Sequence, residues 1–291
     1  MTTTSNPRDG KPAQPGALHA LFALAALLAL APRPAIAFDV QYIDAYRNVA
    51  FTQTADGPVL ADAGAFLSTT VFTGGATVYS SGTVTPPGGG GPLPLVAQTP
   101  TRYGYGSAVL ASKAALDAAF APGSYAYTLL SASPPVNASY TLGADAYALS
   151  QPYLAGATYS ALQGANAAAP INLAFSSFTV NPAASLSFIF FSVYDYTLGQ
   201  FVFNADFLPV TSVGLALPAG TLQAGHSYAW ELIFDSRVLG PAAGTDSGVQ
   251  LGFDLRTSGQ FATAVPELAT WTLLAGGLCV VARRTGKKKL G

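Results

Sequence analysis

Hydrophobic and polar residues alternate near the end of the chain with the period of two that is typical of β-strands. The apolar positions of two such runs are Tyr228, Trp230, Leu232 and Phe234, and then Val249, Leu251, Phe253 and Leu255. The positions between them include Glu231, Asp235, Gln250, Asp254 and Arg256. Because successive side chains of a strand point to opposite faces, each run predicts an antiparallel strand with one face in the core and the other toward water.

Residues 186–196, with the sequence LSFIFFSVYDY, are apolar on both alternating faces. This pattern predicts a central strand that is covered on each side, because such a strand would favour aggregation if left open. Residues 38–54, 65–72 and 76–84 are rich in β-branched and aromatic side chains and predict further strands.

The segment SKAALDAAF, residues 112–120, predicts one short helix in the first half of the chain. Ser112 is a suitable N-cap, and Leu116 and Phe120 lie one turn apart on the same helix face. Pro122 and Gly123 end the helix, and the sequence SYAYTLL that follows them predicts a strand.

The sequence LQAGHSY, residues 222–228, has the Leu, Gly and Tyr spacing of a tyrosine corner, in which the phenol bonds to backbone a few residues upstream. It resembles the corner before a late strand of fibronectin type III and immunoglobulin-like domains; the alternative is an ordinary turn. We therefore expect an all-β fold. A β-rich region with one short helix would span residues 38–165, and an antiparallel β-sandwich of immunoglobulin or fibronectin type would span residues 166–258.

The N-terminus has the pattern of a secretory signal peptide. Arg8 and Lys11 precede an apolar run of about a dozen residues, which is too short to span a bilayer as a stable helix. Ala35 and Ala37 form a small-x-small end that signal peptidase could cut before Phe38. We expect residues 1–37 to be removed, and the alternative is an uncleaved anchor at the membrane interface.

The C-terminus predicts a short transmembrane helix. Residues 268–282 carry no charge and would form a helix of roughly 22 Å, against roughly 30 Å for the hydrocarbon core of a bilayer. A cluster of basic residues follows and consists of Arg283, Arg284, Lys287, Lys288 and Lys289. Since basic residues stay on the cytoplasmic side, the body is expected to face outward.

Residues 265–291 resemble the PEP-CTERM sorting signals of exported proteins in Gram-negative bacteria that make exopolysaccharide. Those signals combine a Pro-Glu-Pro step, a short transmembrane helix and a basic end. Val265, Pro266 and Glu267 match this step, while Leu268 stands where the second Pro is typical. The resemblance implies recognition and processing at Val265, Pro266 and Glu267 by the membrane protease exosortase.

The composition of the chain argues against nucleic-acid binding and against a metal site. Charged residues make up only 9% of the chain, and residues 38–264 contain twelve acidic and five basic side chains, a net charge of −7. Such a body repels phosphate backbones, so nucleic acid is not an expected partner. The chain has one Cys, Cys279, and two His, which excludes a multi-His or Cys metal cluster, and we expect no metal and no cofactor.

The sequence contains few residues that could form a catalytic site. A Ser-His-Asp triad would need His226 with Asp235 and an unidentified Ser, and no Gly-x-Ser-x-Gly elbow is present. Paired carboxylates of a glycoside hydrolase, or a calcium site, could be drawn from a set of five: Asp195, Asp206, Asp235, Asp246 and Asp254. Solvated turn residues are the simpler interpretation of these Asp residues.

These observations predict a non-enzymatic exported protein of the cell surface or exopolysaccharide matrix. It would cross the inner membrane, be held there transiently by its tail, and reach the envelope, the surface or the extracellular matrix after processing. Expected partners are signal peptidase and, by resemblance, exosortase, with exopolysaccharide as a candidate. One alternative is a carbohydrate-binding module of the matrix with exposed aromatic residues, and another is a hydrolase with two carboxylates.

Overall fold

Alternating apolar residues build long strands in this protein, and a computed structural model describes them for residues 39–75, 77–88, 90–131 and 134–265. Within these ranges the strands are β1 (Val40–Gln53), β2 (Leu60–Thr73), β3 (Ser81–Thr85), β4 (Leu93–Thr99), β5 (Arg102–Gly106), β6 (Gly123–Leu130), β7 (Val136–Leu142), β8 (Ile171–Ala174), β9 (Leu186–Asp195), β10 (Gln200–Leu208), β11 (Gly214–Leu217), β12 (Ser227–Gly240) and β13 (Val249–Ala262). The helices are α1 (Lys113–Ala119) and α2 (Thr158–Leu162). The protein is therefore mostly β, as predicted.

Eleven of these strands form one sheet with the order β10-β9-β12-β13-β1-β2-β5-β4-β3-β6-β7, and β8 pairs with β11 separately. Neighbouring strands are antiparallel except for β1 and β13, which run parallel with Ile43 opposite Val249 and Thr52 opposite Ser258. The first and the last strand thus lie side by side in the middle of the sheet.

The sheet folds over on itself, so that one face becomes the core. Thr69 on β2 meets Tyr127 on β6 in a buried hydroxyl contact of 2.7 Å, and Ser139 on β7 bridges to Ala243 after β12. The core face of the long strands carries Ile43, Leu232, Phe234, Ile189 and Phe253, among the side chains that are 1% exposed or less.

The segment between β7 and β9 covers part of this core face and is tied to it by buried side chains. The Gln53 side chain donates to the Leu154 carbonyl at 3.0 Å and accepts from the Leu154 N–H at 2.8 Å. Thr257 donates to the Pro152 carbonyl at 2.6 Å. These bonds replace the backbone partners that an irregular segment lacks when it is buried.

The core face also holds one arginine. Arg47 is 2% exposed, and its guanidinium pairs with Asp145 at 2.7 Å and with Asp117 on α1. Lys113 joins the same two carboxylates, contacting Asp117 at 2.7 Å. The buried charge is therefore neutralised by α1 and by the segment after β7.

The predicted helix is confirmed with its cap. Ser112 accepts a hydrogen bond from the Ala115 N–H at 3.3 Å, Leu116 is fully buried, and Phe120 is the C-cap residue. Strand β6 then begins at Gly123, where the sequence predicts the return to β structure. The helix α2 is a second helical element, which the sequence analysis did not predict.

Two details of the predicted architecture differ from the structure. Strand β9 is the second strand from the sheet edge instead of a central one, and Phe188 and Phe190 on its second face remain half-exposed. The four longest strands observed between residues 166 and 262, β9, β10, β12 and β13, lie side by side in one sheet that continues into β1. Alternation shows which face of a strand is buried but does not show which strands are its neighbours. The sequence pattern therefore does not show that these two regions share a sheet. The boundary at residue 165 stays a prediction.

Several predicted features lie outside the described residues. They are the signal peptide over 1–37, its cleavage residues Ala35, Ala37 and Phe38, the processing residues Pro266 and Glu267, the transmembrane helix, and the basic cluster. In the part of the chain that is described, no helix is long and apolar enough to cross a membrane.

Candidate functional site: the outer face of the sheet

The long strands have a second face, opposite the core, which we call the outer face; it carries Phe190, Asp235, Asp254 and Tyr46. The alternation along each strand decides which residues lie on this face. Asp235 follows the core residue Phe234 on β12, and Tyr46 lies between the core residues Ala45 and Arg47 on β1. This face is polar and aromatic, and among the described residues it holds the three carboxylates whose pKa is raised, Asp44, Asp235 and Asp254.

Two carboxylates lie directly opposite each other at the centre of the outer face. Asp235 on β12 is the cross-strand partner of Asp254 on β13, and they are 2% and 8% exposed. Burial and the neighbouring charge of Asp235 raise the pKa of Asp254 to about 8. Burial also raises the pKa of Asp235, although Arg237 opposes that shift. Since like charges directly opposite are unfavourable, the pair retains a proton near neutral pH.

Arg237 lies beside this pair and bonds to one of its two carboxylates. Its Nε and Nη2 atoms bond to the Asp235 carboxylate at 2.8 and 2.6 Å. Its guanidinium carbon lies 5.9, 5.6, 6.0 and 5.8 Å from the ring centres of Tyr46, Phe188, Phe190 and Phe207. Cation–π contacts of this kind keep a guanidinium in place, so Arg237 shields the carboxylates from solvent.

Phe207 reaches the outer face through a break in the register of the edge strand β10. The pairing with β9 shifts between Ala205 and Leu208, and Phe207 adopts a left-handed conformation with φ of 55°. That conformation costs about 1 kcal/mol or more for a residue other than glycine. The ring contacts with Phe188 at 5.3 Å and Phe190 at 5.0 Å, together with Arg237, offset this cost.

A second ion pair lies further along the same face. Arg256 on β13 bonds to Glu231 on β12 at 2.9 Å and reaches the Asn48 side chain on β1 at 3.5 Å. Its charge lowers the pKa of Asp254, but by less than burial and Asp235 raise it. The outer face therefore carries two arginines, each paired with a carboxylate, on the neighbouring strands β12 and β13.

At the end of the sheet where β13 begins, the outer face contains a cavity of about 320 Å³, and Tyr42, Asp44, Gly248 and Gln250 are among its lining residues. The Tyr42 ring stacks on Phe72 of β2 with a centroid distance of 4.1 Å and an angle of 8°. Burial raises the pKa of Asp44 to about 6, against the opposing charges of Arg237 and Arg102.

Near the other end of the outer face, aromatic side chains gather at the β9–β10 hairpin. Tyr194 contacts Tyr196 and Phe201 edge to face, with ring centres 5.5 and 5.1 Å apart. Tyr196 and Phe201 are 54% and 59% exposed. This hairpin cluster is the most exposed group of aromatic contacts that we describe.

The tyrosine corner is confirmed. Tyr228 is buried, and its hydroxyl accepts from the Gln223 N–H at 2.6 Å and lies 3.3 Å from the Gln223 carbonyl. The phenol thus closes the turn before β12, as the spacing of Leu222, Gly225 and Tyr228 predicts.

The predicted catalytic groupings are arranged differently from a triad. His226 bonds through Nδ1 to Asp195 at 2.9 Å, and Asp235 is held by Arg237. Burial alone would raise the pKa of Asp195, but hydrogen bonds from His226, Leu198 and Thr197 lower it. Because Asp195 caps the β9–β10 turn, the His226 contact joins two turns, and His226 pairs with Asp195 instead of the Asp235 that a triad would have used.

Of the five aspartates predicted from sequence, the structure brings Asp235 and Asp254 together and leaves Asp206 and Asp246 exposed on other segments. Among the described residues, no group of three or more His, Cys, Asp or Glu side chains could hold a metal ion. Sequence analysis did not identify Asp44 or Arg237. The signal for both was available in the alternation, since each lies on the polar side of a strand with a well-marked core side.

Comparisons with known proteins assign no family to this architecture. No family model matches the chain, and no curated protein matches it. Three solved structures are similar at low scores. The FN1–FN3 domains of chicken CNTN1 match with a TM-score of 0.25 and 7% identity, covering 76% of this chain and 66% of that one. The BSP domain of a biofilm-associated protein matches with a TM-score of 0.21 and 12% identity, covering 78% of this chain and 30% of that one. A 1.5-MDa bacterial ice-binding adhesin matches with a TM-score of 0.25 and 11% identity, covering 76% of this chain and 65% of that one. The chain spans less than two thirds of each matched chain, and no fold or function is assigned from them.

Proposed function

We propose that this protein is a non-enzymatic exported protein of the cell surface or exopolysaccharide matrix, delivered by a processed C-terminal sorting signal. The observation that carries the proposal is the position of the β body between the two predicted processing sites. Strand β1 begins at Val40, two residues after Phe38, and β13 ends at Ala262, four residues before Pro266. Cleavage at both sites would remove no described strand.

The geometry of the paired carboxylates supports a non-enzymatic role. Asp235 and Asp254 are nearly inaccessible, and Arg237 with its surrounding rings lies over them. A glycoside hydrolase needs two carboxyl groups that flank a substrate in an open cleft, roughly 5 to 10 Å apart. A buried pair with raised pKa values instead favours the folded state only while it stays protonated.

The test is the intact mass and the cellular fraction of the protein in its host, for wild type and for Glu267→Ala. We expect the wild-type protein to begin at Phe38 and to end near Pro266 in the surface or extracellular fraction. The Glu267→Ala protein should keep its tail and stay in the inner membrane. Glu231→Gln changes the other glutamate of the chain and serves as the matched control, with wild-type processing expected. A tail that survives in the wild-type protein would identify a plain anchor and contradict the proposal.

A second candidate function is carbohydrate binding in the matrix, and the aromatic groups of the outer face favour it. The hairpin cluster of Tyr194, Tyr196 and Phe201 is exposed at one end, and the stacked Tyr42 and Phe72 lie toward the other. Aromatic rings that face solvent offer stacking surfaces to sugar rings.

The test of this second function is affinity electrophoresis in gels that contain the host's own exopolysaccharide. Wild-type protein should be retarded, and Tyr196→Ala combined with Phe201→Ala should be retarded less. Leu149→Ala removes an equally exposed apolar side chain away from these strands and should behave as wild type. Equal mobility of the wild-type protein with and without the polysaccharide would contradict carbohydrate binding.

A further inference from the structure

Two glycine residues at which no side chain fits lie at or near the cavity at the start of β13. At Gly252, the ring of its cross-strand partner Tyr46 fills the place of a side chain, since a Cβ atom there would lie 2.1 Å from the ring carbon Cδ1. At Gly248 no side chain can be added, because φ is 86° and a Cβ atom would lie 2.3 Å from the Gly240 carbonyl oxygen. Beside Gly248 the space remains open as the cavity of about 320 Å³.

Tyr42 offers one face of its ring to this cavity. Strand β1 lies between β2 and β13, and Phe72 of β2 covers the face of the Tyr42 ring on that side at 4.1 Å. The other cavity walls near Tyr42 are Gly248 and Gln250, which belong to the β13 side. The uncovered face of the ring therefore borders the cavity and can stack on a flat ligand.

Asp44 supplies a hydrogen-bond acceptor to the same cavity. Its Oδ1 atom is shielded from solvent and accepts no hydrogen bond from the described residues. The adjacent Gln250 side chain is already held, since it donates to the Tyr46 hydroxyl at 2.7 Å and accepts from Arg237 at 3.3 Å. Since Oδ1 itself is closed to solvent, a ligand hydroxyl would bond to the partly exposed remainder of the Asp44 side chain, which lines the cavity.

The local charges favour a neutral ligand. Burial raises the pKa of Asp44 to about 6, and the charges of Arg237 and Arg102 oppose that rise, so a negative charge on this carboxylate is already partly balanced. A cationic ligand would meet two guanidinium groups near its site. A pyranose ring combines what this cavity offers: an apolar C–H face for Tyr42 and hydroxyl donors for Asp44.

We propose that the cavity lined by Tyr42, Asp44 and Gly248 binds one neutral pyranose unit of a polysaccharide. This inference rests on the second proposed function, carbohydrate binding. Tyr42 stacks on the sugar ring, Asp44 accepts from its hydroxyl groups, and Gly248, at which no side chain fits, lines the cavity beside them.

The test is saturation-transfer NMR at neutral pH on the protein as its host exports it. The probes are the methyl glycosides of glucose, galactose, mannose and N-acetylglucosamine, and D-glucosamine as a cationic competitor. At least one methyl glycoside should receive saturation on its ring protons. Asp44→Asn should weaken that glycoside about tenfold, as expected for loss of a charge-assisted hydrogen bond.

Asp62→Asn is the matched control, because Asp62 is an exposed carboxylate near the far end of the β1–β2 pair and should leave binding unchanged. Tyr42→Leu keeps apolar packing against Phe72 and should also weaken the glycoside, while circular dichroism shows that both variants are folded. The inference is overturned if no glycoside binds, if Asp44→Asn binds as tightly as wild type, or if only glucosamine binds. If exopolysaccharide still retards Asp44→Asn, the cavity is not the binding site, whereas the proposal that the protein binds carbohydrate stands.

Discussion

Replacing Asp254 with asparagine should remove most of the dependence of folding stability on pH between about pH 5 and pH 8. In the folded protein, burial and the opposing Asp235 raise the pKa of Asp254 to about 8, whereas an aspartate in an unfolded chain titrates near ~3.9. Between these two values the folded state binds a proton that the unfolded state has lost. The free energy of unfolding therefore falls as pH rises through this window.

The size of the effect follows from linkage. Each unit of difference in pKa corresponds to about 1.4 kcal/mol, so Asp254 could remove up to roughly 4 kcal/mol of stability between pH 5 and pH 8. This is a large part of the roughly 5 to 15 kcal/mol that stabilises a typical domain. The raised pKa of Asp44, about 6, acts in the same direction at lower pH. Asparagine resembles the protonated carboxyl group, so the urea midpoint of Asp254→Asn should change much less with pH than that of the wild-type protein.

The measurement is urea unfolding at pH 5, 6, 7 and 8, followed by the emission of Trp230, which is 1% exposed in the folded protein. Wild-type protein and the control Asp62→Asn should lose several kcal/mol across this range, and Asp254→Asn should lose less than half as much. A wild-type stability that rises with pH, or an Asp254→Asn variant that keeps the full slope, would refute the assignment of a retained proton to this pair.

Three further substitutions test the packing. Gly252→Ala should destabilise the protein by about 1–3 kcal/mol, because the new methyl group would collide with the Tyr46 ring, whereas Gly143→Ala, with open space around it, should change urea midpoints little. Tyr228→Phe should cost about 1 kcal/mol in the same assay by removing the hydroxyl that closes the tyrosine corner, and an unchanged midpoint would show that the corner adds nothing. Arg47→Met should lower the thermal unfolding temperature, with a loss of about 3 kcal/mol, because it leaves Asp117 and Asp145 with only Lys113 as a partner; a neutral effect would mean that solvent already compensates these carboxylates.

Local features of this fold could be predicted from sequence because they depend on neighbours in the chain. The alternation in β12 and β13, the Ser112 cap of α1 and the closing of the turn by Tyr228 all involve contacts over a few residues. Their physical causes are the two-residue period of a strand and the hydrogen bonds that a turn or helix end requires.

The outer face could not be predicted in the same way, because it depends on which strands become neighbours. Asp235 and Asp254 meet because β12 pairs with β13, and Asp44 lies beside Gln250 because β1 and β13 run parallel across about 200 residues of chain. Arg47, on the core face, shows the same limit of prediction from sequence. Its position in the alternation places it in the core, but only the fold brings Asp117 and Asp145 to neutralise it.

The central position of β13 determines how the body would carry mechanical load. Strand β13 is bonded on one side to β12 over fourteen residue pairs and on the other to β1 over ten. A pull on the C-terminal end runs along β13, so both hydrogen-bond ladders are sheared at once instead of being peeled apart one bond at a time. A body tethered by its tail in flowing liquid would therefore transmit drag into the middle of its sheet, where the largest number of bonds must break together.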